Sequence, residues 1–350
     1  MSLKLAIRKT IPNMIVHFVD AEQIWASSNY TLYVSKNGEE TLSKVTDIKV
    51  QPLVKMLGNS RLISRTFRFG IRTLRKLENG VILVNANGKI LRLANKRVEI
   101  VYSFEKGVGP LRDGWCEDER GNVYIGEYFL NNARKSAVKL LKSKDGGRSW
   151  QVIRSMKGIR HIHCVQYDPY EEKIWMGTGD RDEECSISFS EDKGERWIDV
   201  GSGNQMLRTV SLLFTEDYVY WGTDTPARQS HIYRYVRRNG RIERLVPVNG
   251  PVYYSTVLEN GMKFFSTGAE GNSEGKSAAW DNRAHIWASL DGIMWEDLIS
   301  WEKDSWPYIL GYGRVLFVGG RSGNVLAFTT QCLKKIDNTS FFCNVSVEPK

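Results

Sequence analysis

The stretch SKDGGRSW, residues 143–150, lies between two runs typical of β-strands and is repeated imperfectly as SEDKGERW at residues 190–197. A shorter copy, SLDGIMW, occupies residues 289–295. In each copy the aspartate can accept hydrogen bonds from backbone amides a few residues on, the glycine tolerates positive φ, and the tryptophan can pack on neighbouring strands. The pattern predicts a tight turn between two strands, in which Asp145, Asp192 and Asp291 have structural roles.

Turn signals of this kind recur along the whole chain of 350 residues. They lie 47 to 58 residues apart, at Asn37-Gly38, Asn87-Gly88, Asp145-Gly146, Asp192, Asn239-Gly240 and Asp291-Gly292. A repeat of this length that holds about four short strands is typical of a β-propeller. We therefore predict an all-β fold, a single propeller domain over residues 1–350 with four-stranded antiparallel blades.

Seven blades are favoured, and six are the main alternative. The seven are placed at residues 14–50, 63–106, 110–157, 160–205, 206–249, 251–304 and 305–345. An open ring would expose sheet edges, so a strand from one terminus must complete a blade from the other. Either LKLAIRKTI (3–11) or FFCNVSV (341–347) can supply that strand.

The pattern S-x-D-x-G-x-S/T-W resembles the Asp-box, or BNR repeat, of the sialidase-like β-propellers. Residues 143–150 match it at every position, and the copy at 190–197 has Arg196 in place of Ser/Thr. The resemblance implies that the box lies between the third and fourth strands of a blade, and it suggests a carbohydrate-active protein. In a four-stranded meander, the loops between the second and third strands then lie on the opposite face. We expect a functional site on that face.

Loop lengths on this face differ between blades. Blades 1, 2 and 7 are predicted to have tight connections between the second and third strands, in SSNY, ANGK and RSGN, whereas blades 3 to 6 have long, polar ones. Long loops on a rigid scaffold often carry binding residues. We therefore place the predicted site over blades 3 to 6.

The innermost strands of these blades begin with cationic and aromatic residues. Alignment of the blades places Arg112, His163 and Arg208 at one equivalent position, with Tyr253 and Tyr254 of blade 6 and Arg68 of blade 2 close to it. Arginine binds carboxylate, sulfate or phosphate groups in a bidentate manner, so the set predicts an anionic substrate. His161 and His163 share one side of a strand, and this spacing also admits a divalent metal at the central mouth. No other cofactor is expected.

The same face collects further histidines and carboxylates. His231 and His285 open the third strands of blades 5 and 6, and an acidic residue follows the second strand in each of four blades. The predicted catalytic residues are His163, Tyr254, Arg208, Arg112 and Glu127. The predicted substrate-binding residues are His161, Asp180, Asp224, Glu270, Trp280, Arg283 and His285.

Two classes of function fit this inventory. The first is an enzyme that acts on an acidic, uronate- or sialate-like glycan. A lyase would use the arginines for the carboxylate and His163 or Tyr254 as the base, and a sialidase-like hydrolase would use Arg112, Arg208 and Arg283 with Tyr308 or Tyr254. The alternative is a non-catalytic propeller that binds a glycan or a protein.

Charge and composition restrict the partners. The net charge is +9, and residues 1–110 alone carry 18 Lys/Arg against 8 Asp/Glu, which favours an acidic oligosaccharide or polysaccharide. No nucleic-acid motif and no membrane-spanning run are present, and a monomer is expected. No signal peptide is visible, so a cytoplasmic location is expected for the chain as given, and an extracellular one if a leader has been removed.

Overall fold

The computed structural model describes residues 2–36, 41–58, 60–67, 69–225, 228–270 and 281–349. The strands in this part of the chain form seven sheets, each built on four antiparallel strands. The protein is a seven-bladed β-propeller, which confirms the predicted fold class and the favoured blade count.

Blades 1 to 5 follow one another along the chain, with the four strands of each blade consecutive in sequence. The strands of blade 1 are β2 (Ile15–Val19), β3 (Gln23–Ser28), β4 (Thr31–Lys36) and β5 (Ser43–Asp47). Those of blade 2 are β6 (Ile71–Lys76), β7 (Ile82–Ala86), β8 (Lys89–Ala94) and β9 (Arg97–Ser103). Those of blade 3 are β10 (Trp115–Glu117), β11 (Val123–Gly126), β12 (Val138–Ser143) and β13 (Gln151–Met156). Those of blade 4 are β14 (His161–Asp168), β15 (Lys173–Gly179), β16 (Ser186–Ser190) and β17 (Ile198–Ser202). Those of blade 5 are β18 (Leu212–Phe214), β19 (Tyr218–Gly222), β20 (Ser230–Val236) and β21 (Arg241–Val248).

The last two blades contain the strand that closes the ring. The strands of blade 6 are β22 (Val252–Val257), β23 (Lys263–Thr267), β24 (Arg283–Ser289) and β25 (Glu296–Glu302). Those of blade 7 are β26 (Arg314–Phe317), β28 (Val325–Gln331), β29 (Thr339–Glu348) and β1 (Ser2–Ile11). The two-residue strand β27 (Gly319–Gly320) pairs in parallel with β2. Of the two segments proposed for closure, LKLAIRKTI supplies the closing strand, because it forms most of β1, the outermost strand of blade 7. FFCNVSV forms part of β29, the third strand of the same blade and the partner of β1.

Clustering of contacts divides the chain into two compact units. One comprises Met1–Ile71, Pro226–Ser230 and Leu245–Lys350, and the other comprises Arg72–Thr225 and His231–Arg244. We call them unit 1 and unit 2. Within unit 2 the core lies between neighbouring blades, where Trp175 of blade 4 and Trp221 of blade 5 are fully buried in one apolar cluster. No helix in the described residues is both long enough and apolar enough to cross a membrane.

Two features of the connections differ from the prediction. The short helices α1 (Pro52–Gly58) and α2 (Arg61–Phe67) precede blade 2, so this blade begins at Ile71 and not at residue 63. Seven residues are too few for an apolar periodicity to stand out in the sequence. The segment RSGN was predicted to join the second and third strands of blade 7, but it lies between the first and second strands, just before β28. Residues 332–338 form the connection between the second and third strands.

The repeated S-x-D-x-G turns connect β12 to β13, β16 to β17 and β24 to β25, the third and fourth strands of their blades. Asp145 Oδ1 accepts hydrogen bonds from the backbone amides of Arg148 (3.0 Å) and Ser149 (2.9 Å), and its Oδ2 accepts one from Ser149 Oγ (2.6 Å). Burial opposes ionisation, but these bonds outweigh it and lower the pKa of Asp145 to about 2. Gly147 has a φ of 81°, which a residue with a side chain rarely adopts.

The other two copies of the turn have the same hydrogen bonding. Asp192 Oδ1 accepts from the amide of Arg196 at 2.8 Å, and Asp291 Oδ1 accepts from the amides of Ile293 and Met294, both at 2.8 Å. The aspartates are therefore structural, as predicted. The tryptophans differ from the expectation of full burial, because Trp150 and Trp197 are half-buried beside their apolar clusters.

Replacement of Asp145 by alanine is expected to lower the free energy of unfolding by about 1–3 kcal/mol, because two backbone amides lose their acceptor. Urea unfolding followed by tryptophan fluorescence measures the change. Lys144→Ala is the matched control, since its exposed side chain lies in the same turn. Equal stability of the two variants would contradict the structural role of Asp145.

Candidate functional site

The first strand of blade 4 begins with two buried histidines. Along β14, His161 pairs with Gly179, Ile162 with Thr178 and Cys164 with Gly177, so His163 is the extra residue of a β-bulge. Both imidazoles lie on the same side, with their Nε2 atoms 3.0 Å apart. Each residue is 2% exposed, so the pair is shielded from bulk water.

Asp180, which directly follows β15, joins the two histidines. Its Oδ1 lies 3.5 Å from Nε2 of His161 and 3.3 Å from Nε2 of His163. Arg208 places one terminal nitrogen 3.1 Å from the same oxygen, and Arg160 contacts Oδ2. Burial disfavours the charged carboxylate, but the contacts with both histidines and the charge of Arg208 outweigh this effect and hold the pKa of Asp180 far below its usual range.

The loops that carry Asp180 and Arg160 are fixed by a second buried carboxylate. Glu184 Oε2 accepts hydrogen bonds from the backbone amides of Arg160 (3.0 Å) and Asp180 (3.3 Å), and its Oε1 accepts from Arg134 Nε at 2.6 Å. Gln205 holds the carbonyl of Asp180 through its amide nitrogen at 2.8 Å. The position of Asp180 is therefore set by its surroundings as well as by the charges it contacts.

The outer nitrogens of the two histidines differ in their environment. His161 Nδ1 lies 3.2 Å from the carbonyl oxygen of Phe129, so this nitrogen carries the proton and Nε2 presents a lone pair. His163 Nδ1 is buried and has no hydrogen-bond partner among the described residues. Burial lowers the pKa of His163 to about 4, against the opposing effect of Asp180. The imidazole of His163 is therefore neutral near pH 7.

The donor set fits a divalent metal ion. His161, His163 and Asp180 each offer one ligand atom, and these atoms are separated by 3.0, 3.3 and 3.5 Å. Ligands that bind one ion with bonds of about 2.0–2.2 Å lie at roughly these separations. The bond between His161 and the Phe129 carbonyl is the outer contact that metal-bound histidines usually make. Imidazole and carboxylate ligands suit Zn²⁺ and Mn²⁺.

Two further residues border this cluster. Asp224 Oδ2 lies 3.5 Å from a terminal nitrogen of Arg208, and its amide donates to the Arg208 carbonyl at 2.9 Å. The half-buried ring of Tyr128 stacks on His161, with ring centroids 4.0 Å apart. Arg160, Glu184 and Tyr128 were not predicted. Arg160 directly precedes His161 in the sequence RHIH, and that is the one signal that pointed to it.

Arg208 corresponds to His161, not to His163 as predicted. The Arg208 carbonyl accepts a hydrogen bond from the amide of Asp224, two residues after Gly222. In blade 4, His161 pairs with Gly179, two residues after Gly177, which is the equivalent of Gly222. The turn between the first and second strands has four residues in blade 4 (169–172) and two in blade 5 (216–217), and this difference shifts the predicted alignment by two residues.

Two predicted catalytic residues of unit 2 have other contacts. Glu127 is buried, and its Oε2 accepts the backbone amide of Lys139 at 2.8 Å. Arg112 lies next to the buried Asp113, whose carboxyl it stabilises against the larger effect of burial, which raises the pKa. Glu127 therefore stabilises a loop of blade 3, and the charge of Arg112 favours the ionised carboxylate of Asp113.

The predicted residues of unit 1 form separate arrangements. Tyr254 is buried in an apolar cluster with Phe264 and Phe317, and its role as a base stays a prediction. Tyr253 is the extra residue of a bulge between Val252 and Tyr254, and its hydroxyl donates to Glu270 Oε2 at 2.7 Å. Arg283 bonds to Ser300 of the neighbouring strand. Trp280 and Arg68 lie outside the described residues.

His285 is buried between two carboxylates of blade 6. Its Nδ1 lies 2.7 Å from Asp297 Oδ2, and its Nε2 lies 3.0 Å from Asp281 Oδ1. Burial favours the neutral imidazole, but the hydrogen bonds with Asp297 and Asp281 outweigh it and raise the pKa of His285. His285 therefore joins a loop to the outer strand, and the predicted contact with substrate stays a prediction.

The stabilisation provided by His285 is expected to depend on pH. The pKa of His285 is higher in the folded protein than its value of about 6.5 in an unfolded chain. The stabilisation of the folded state by His285 is therefore complete below about pH 6.5 and is lost as the pH rises through the pKa of the folded state. Urea unfolding of the wild type and His285→Gln should give a difference in stability that shrinks between pH 6 and pH 9. His231→Gln is the control. A difference independent of pH would contradict the charged state of His285.

No family model matches the sequence, and no curated protein matches it either. Solved structures are similar in fold. An oligogalacturonate lyase in complex with manganese has a TM-score of 0.62 at 10% identity, over 97% of this chain and 90% of that one. A chain of the mitotic checkpoint complex has a TM-score of 0.59 at 10% identity, over 97% and 91%. YCF48 bound to D1 peptide has a TM-score of 0.59 at 11% identity, over 99% and 97%. Identities this low establish a shared propeller fold and nothing finer.

Proposed function

We propose that this protein is a metal-dependent lyase that cleaves a uronate-containing oligosaccharide or polysaccharide at the cluster of His161, His163 and Asp180. The observation that carries the proposal is the set of three ligand atoms 3.0 to 3.5 Å apart, in contact with two arginines. A buried site with this donor set and this positive charge is suited to an anionic substrate.

The reaction is a β-elimination next to the carboxylate of the sugar. A base removes the proton on the carbon that bears the carboxylate, a double bond forms, and the glycosidic oxygen leaves and is protonated. Negative charge grows on the carboxylate as the proton departs, so cations placed there lower the barrier. A bound divalent ion would supply charge neutralisation as a Lewis acid. Arg160 and Arg208 would orient the carboxylate from the outer side of Asp180.

Tyr128 is the residue we assign to proton transfer. Its ring stacks on His161, and the residue as a whole is more exposed than either histidine. Of the other phenols considered, Tyr254 is buried in an apolar cluster, and Tyr308 donates a hydrogen bond to Asn282 Oδ1 at 2.6 Å. Most glycoside hydrolases place two carboxyl groups across the scissile bond, whereas Asp180 is already bonded to two arginines, so we favour elimination over that type of hydrolysis.

The test is turnover of uronate polymers. The protein, freed of metal and then supplied with Mn²⁺, is incubated with polygalacturonate, alginate and hyaluronate, and the unsaturated product is followed by ultraviolet absorbance. We expect absorbance to rise with one class of polymer, to disappear with chelator, and to disappear in Tyr128→Phe, while Tyr170→Phe remains active. Absence of product from every polymer would exclude the lyase.

The second candidate is a propeller that binds an acidic glycan or a peptide without cleaving it. It is favoured by the near-complete burial of both histidines and by the engagement of both arginines with Asp180. Two of the similar folds belong to a protein complex and to a protein bound to a peptide. Saturable binding of a uronate oligosaccharide with no unsaturated product would identify this function.

A further inference from the structure

A second group of charges lies in unit 1, around helix α2. Arg65 has 8% of its side chain exposed, and one of its terminal nitrogens lies 2.6 Å from Asp304 Oδ2 and 2.8 Å from Asp337 Oδ2. Arg61, one turn earlier, contacts the same oxygen of Asp337. Lys303 is almost fully buried, and its Nζ lies 3.0 Å from Asp304 Oδ1. None of these residues belongs to the histidine cluster.

The charges of this group do not balance among the described residues. Three cations, Arg61, Arg65 and Lys303, share two carboxylates, which leaves one positive charge in excess. The other terminal nitrogen of Arg65, Nη1, is buried without a hydrogen-bond partner in the described part of the chain. Buried charges and donors without partners are costly, so the group is suited to an additional anion.

A cavity of about 370 Å³ adjoins this group. Its walls include four cationic side chains and one carboxylate, and Trp306 adds an aromatic surface. The residues that matter here are Arg61, Lys303, Asp304, Trp306, Lys334 and Lys335. Lys334 and Arg61 are both exposed, and each is paired with one carboxylate, Glu302 at 3.1 Å and Asp337 respectively. Lys335 is exposed as well, and we assign the contact with a ligand to Arg61 and Lys335.

The backbone at Lys335 supports a role for its side chain. Its φ is 68°, in the left-handed region that glycine and asparagine favour and lysine rarely adopts. Such a conformation costs free energy, and residues that retain it are concentrated at functional sites. The turn from Leu333 to Lys335 thereby holds two lysines at the cavity wall.

We propose that this cavity binds a small organic anion, about the size of a monosaccharide, through a phosphate or carboxylate group. The volume is within the range of small-molecule sites, and the walls pair fixed cations with an aromatic side chain. Arg61 and Lys335 contact the anionic group, and Trp306 packs on the apolar part of the ligand. The site is independent of the proposed lyase reaction, since it shares no residue with the histidine cluster.

The ligands to be tested are glucose 6-phosphate, galacturonate and inorganic phosphate, with glucose as the uncharged control, by isothermal titration calorimetry at low salt. We expect saturable binding of at least one sugar anion and none of glucose. Binding of the phosphate sugar alone identifies phosphate as the recognised group, and binding of galacturonate alone identifies the carboxylate. Lack of saturable heat with both sugar anions overturns the proposal, as does equal binding of glucose.

Substitutions locate the binding to this cavity. Arg61→Gln and Lys335→Gln should each weaken binding at least tenfold, while Lys157→Gln, an exposed lysine of unit 2, should not. Lys335→Gly removes the charge and also relieves the left-handed backbone, so it should lose binding without any fall in melting temperature. Unchanged affinity in Lys335→Gly and Arg61→Gln would show that the ligand binds elsewhere and would overturn the proposal.

Discussion

Deletion of residues 2–11 is expected to lower the melting temperature by more than about 10 °C and to cause aggregation, because these residues form the outermost strand of blade 7. β1 pairs with β29 from Ser2 opposite Glu348 to Ile11 opposite Ser340. Leu3 and Leu5 pack against the apolar cluster that blades 6 and 7 share, and the Leu3 amide donates to Glu296 Oε1 at 2.7 Å. Without β1, the hydrogen-bonding edge of β29 faces solvent.

Circular dichroism melting and size-exclusion chromatography measure both effects. Lys4→Ala is the matched control, since its side chain is exposed and pairs only at the surface, with Glu348. Replacement of Leu5 by lysine should reproduce part of the loss, because it removes packing and keeps the backbone hydrogen bonds. A monomeric deletion variant with the melting temperature of the wild type would show that blade 7 is stable with three strands.

The fold was predictable because its signals are local and repeated. The turn of Asp145 is determined by residues within five positions of each other, and the hydrogen bonds seen in the structure are those that the residue types allow. The period between such turns gave the blade count, because Asp145, Asp192, Asn239 and Asp291 all lie between the third and fourth strands of a blade. Asn87-Gly88 is different, since it joins the second and third strands of blade 2. Closure was less certain from sequence, since the pairing of β1 with β29 joins residues more than 300 positions apart.

The site was only partly predictable because bulges and turn lengths shift its residues. His163 and Tyr253 are both extra residues in the first strand of a blade, and nothing in the sequence marks a bulge at either position. The bulge at Tyr253 is one reason that Tyr254 was chosen where Tyr253 has the polar contact. Arg208 was equated with His163 because the turn between the first two strands is two residues longer in blade 4 than in blade 5. The prediction still included four residues of the cluster, because strand ends on the same face lie close together. These residues are His161, His163, Asp180 and Arg208.

The residues that support the site could not be predicted from the sequence, for a different reason. Glu184 lies in a long loop and contacts the amides of Arg160 and Asp180, which are themselves on two different connections. A contact between loops depends on their three-dimensional course, and residue type alone does not specify it. The charge group at α2 was missed likewise, since Arg65, Asp304 and Asp337 come from three distant segments.

Removal of either cluster histidine is expected to lower the affinity for Mn²⁺ or Zn²⁺ at least about 100-fold, because each imidazole supplies one of three protein ligands. Calorimetric titration of the metal-free protein at pH 7.5 measures the affinity of the wild type, His161→Ala and His163→Ala. Asp180→Asn should also weaken binding, and it leaves the buried contacts of Arg160 and Arg208 without a negative charge, so its affinity is to be measured well below its melting temperature.

The matched control is His17→Ala. His17 is the extra residue of the corresponding bulge in blade 1, between Val16 and Phe18, and it is as buried as His163. Its Nε2 lies 2.7 Å from Ser27 Oγ, so it makes a hydrogen bond to a hydroxyl where His163 faces a histidine and a carboxylate. His17→Ala should lower stability and leave the metal affinity unchanged. Two results would contradict the metal site: no binding of divalent metal by the wild type, or equal binding by all three alanine variants. In either case His161 and His163 serve only to neutralise and fix Asp180, and the proposed lyase function loses the observation on which it rests.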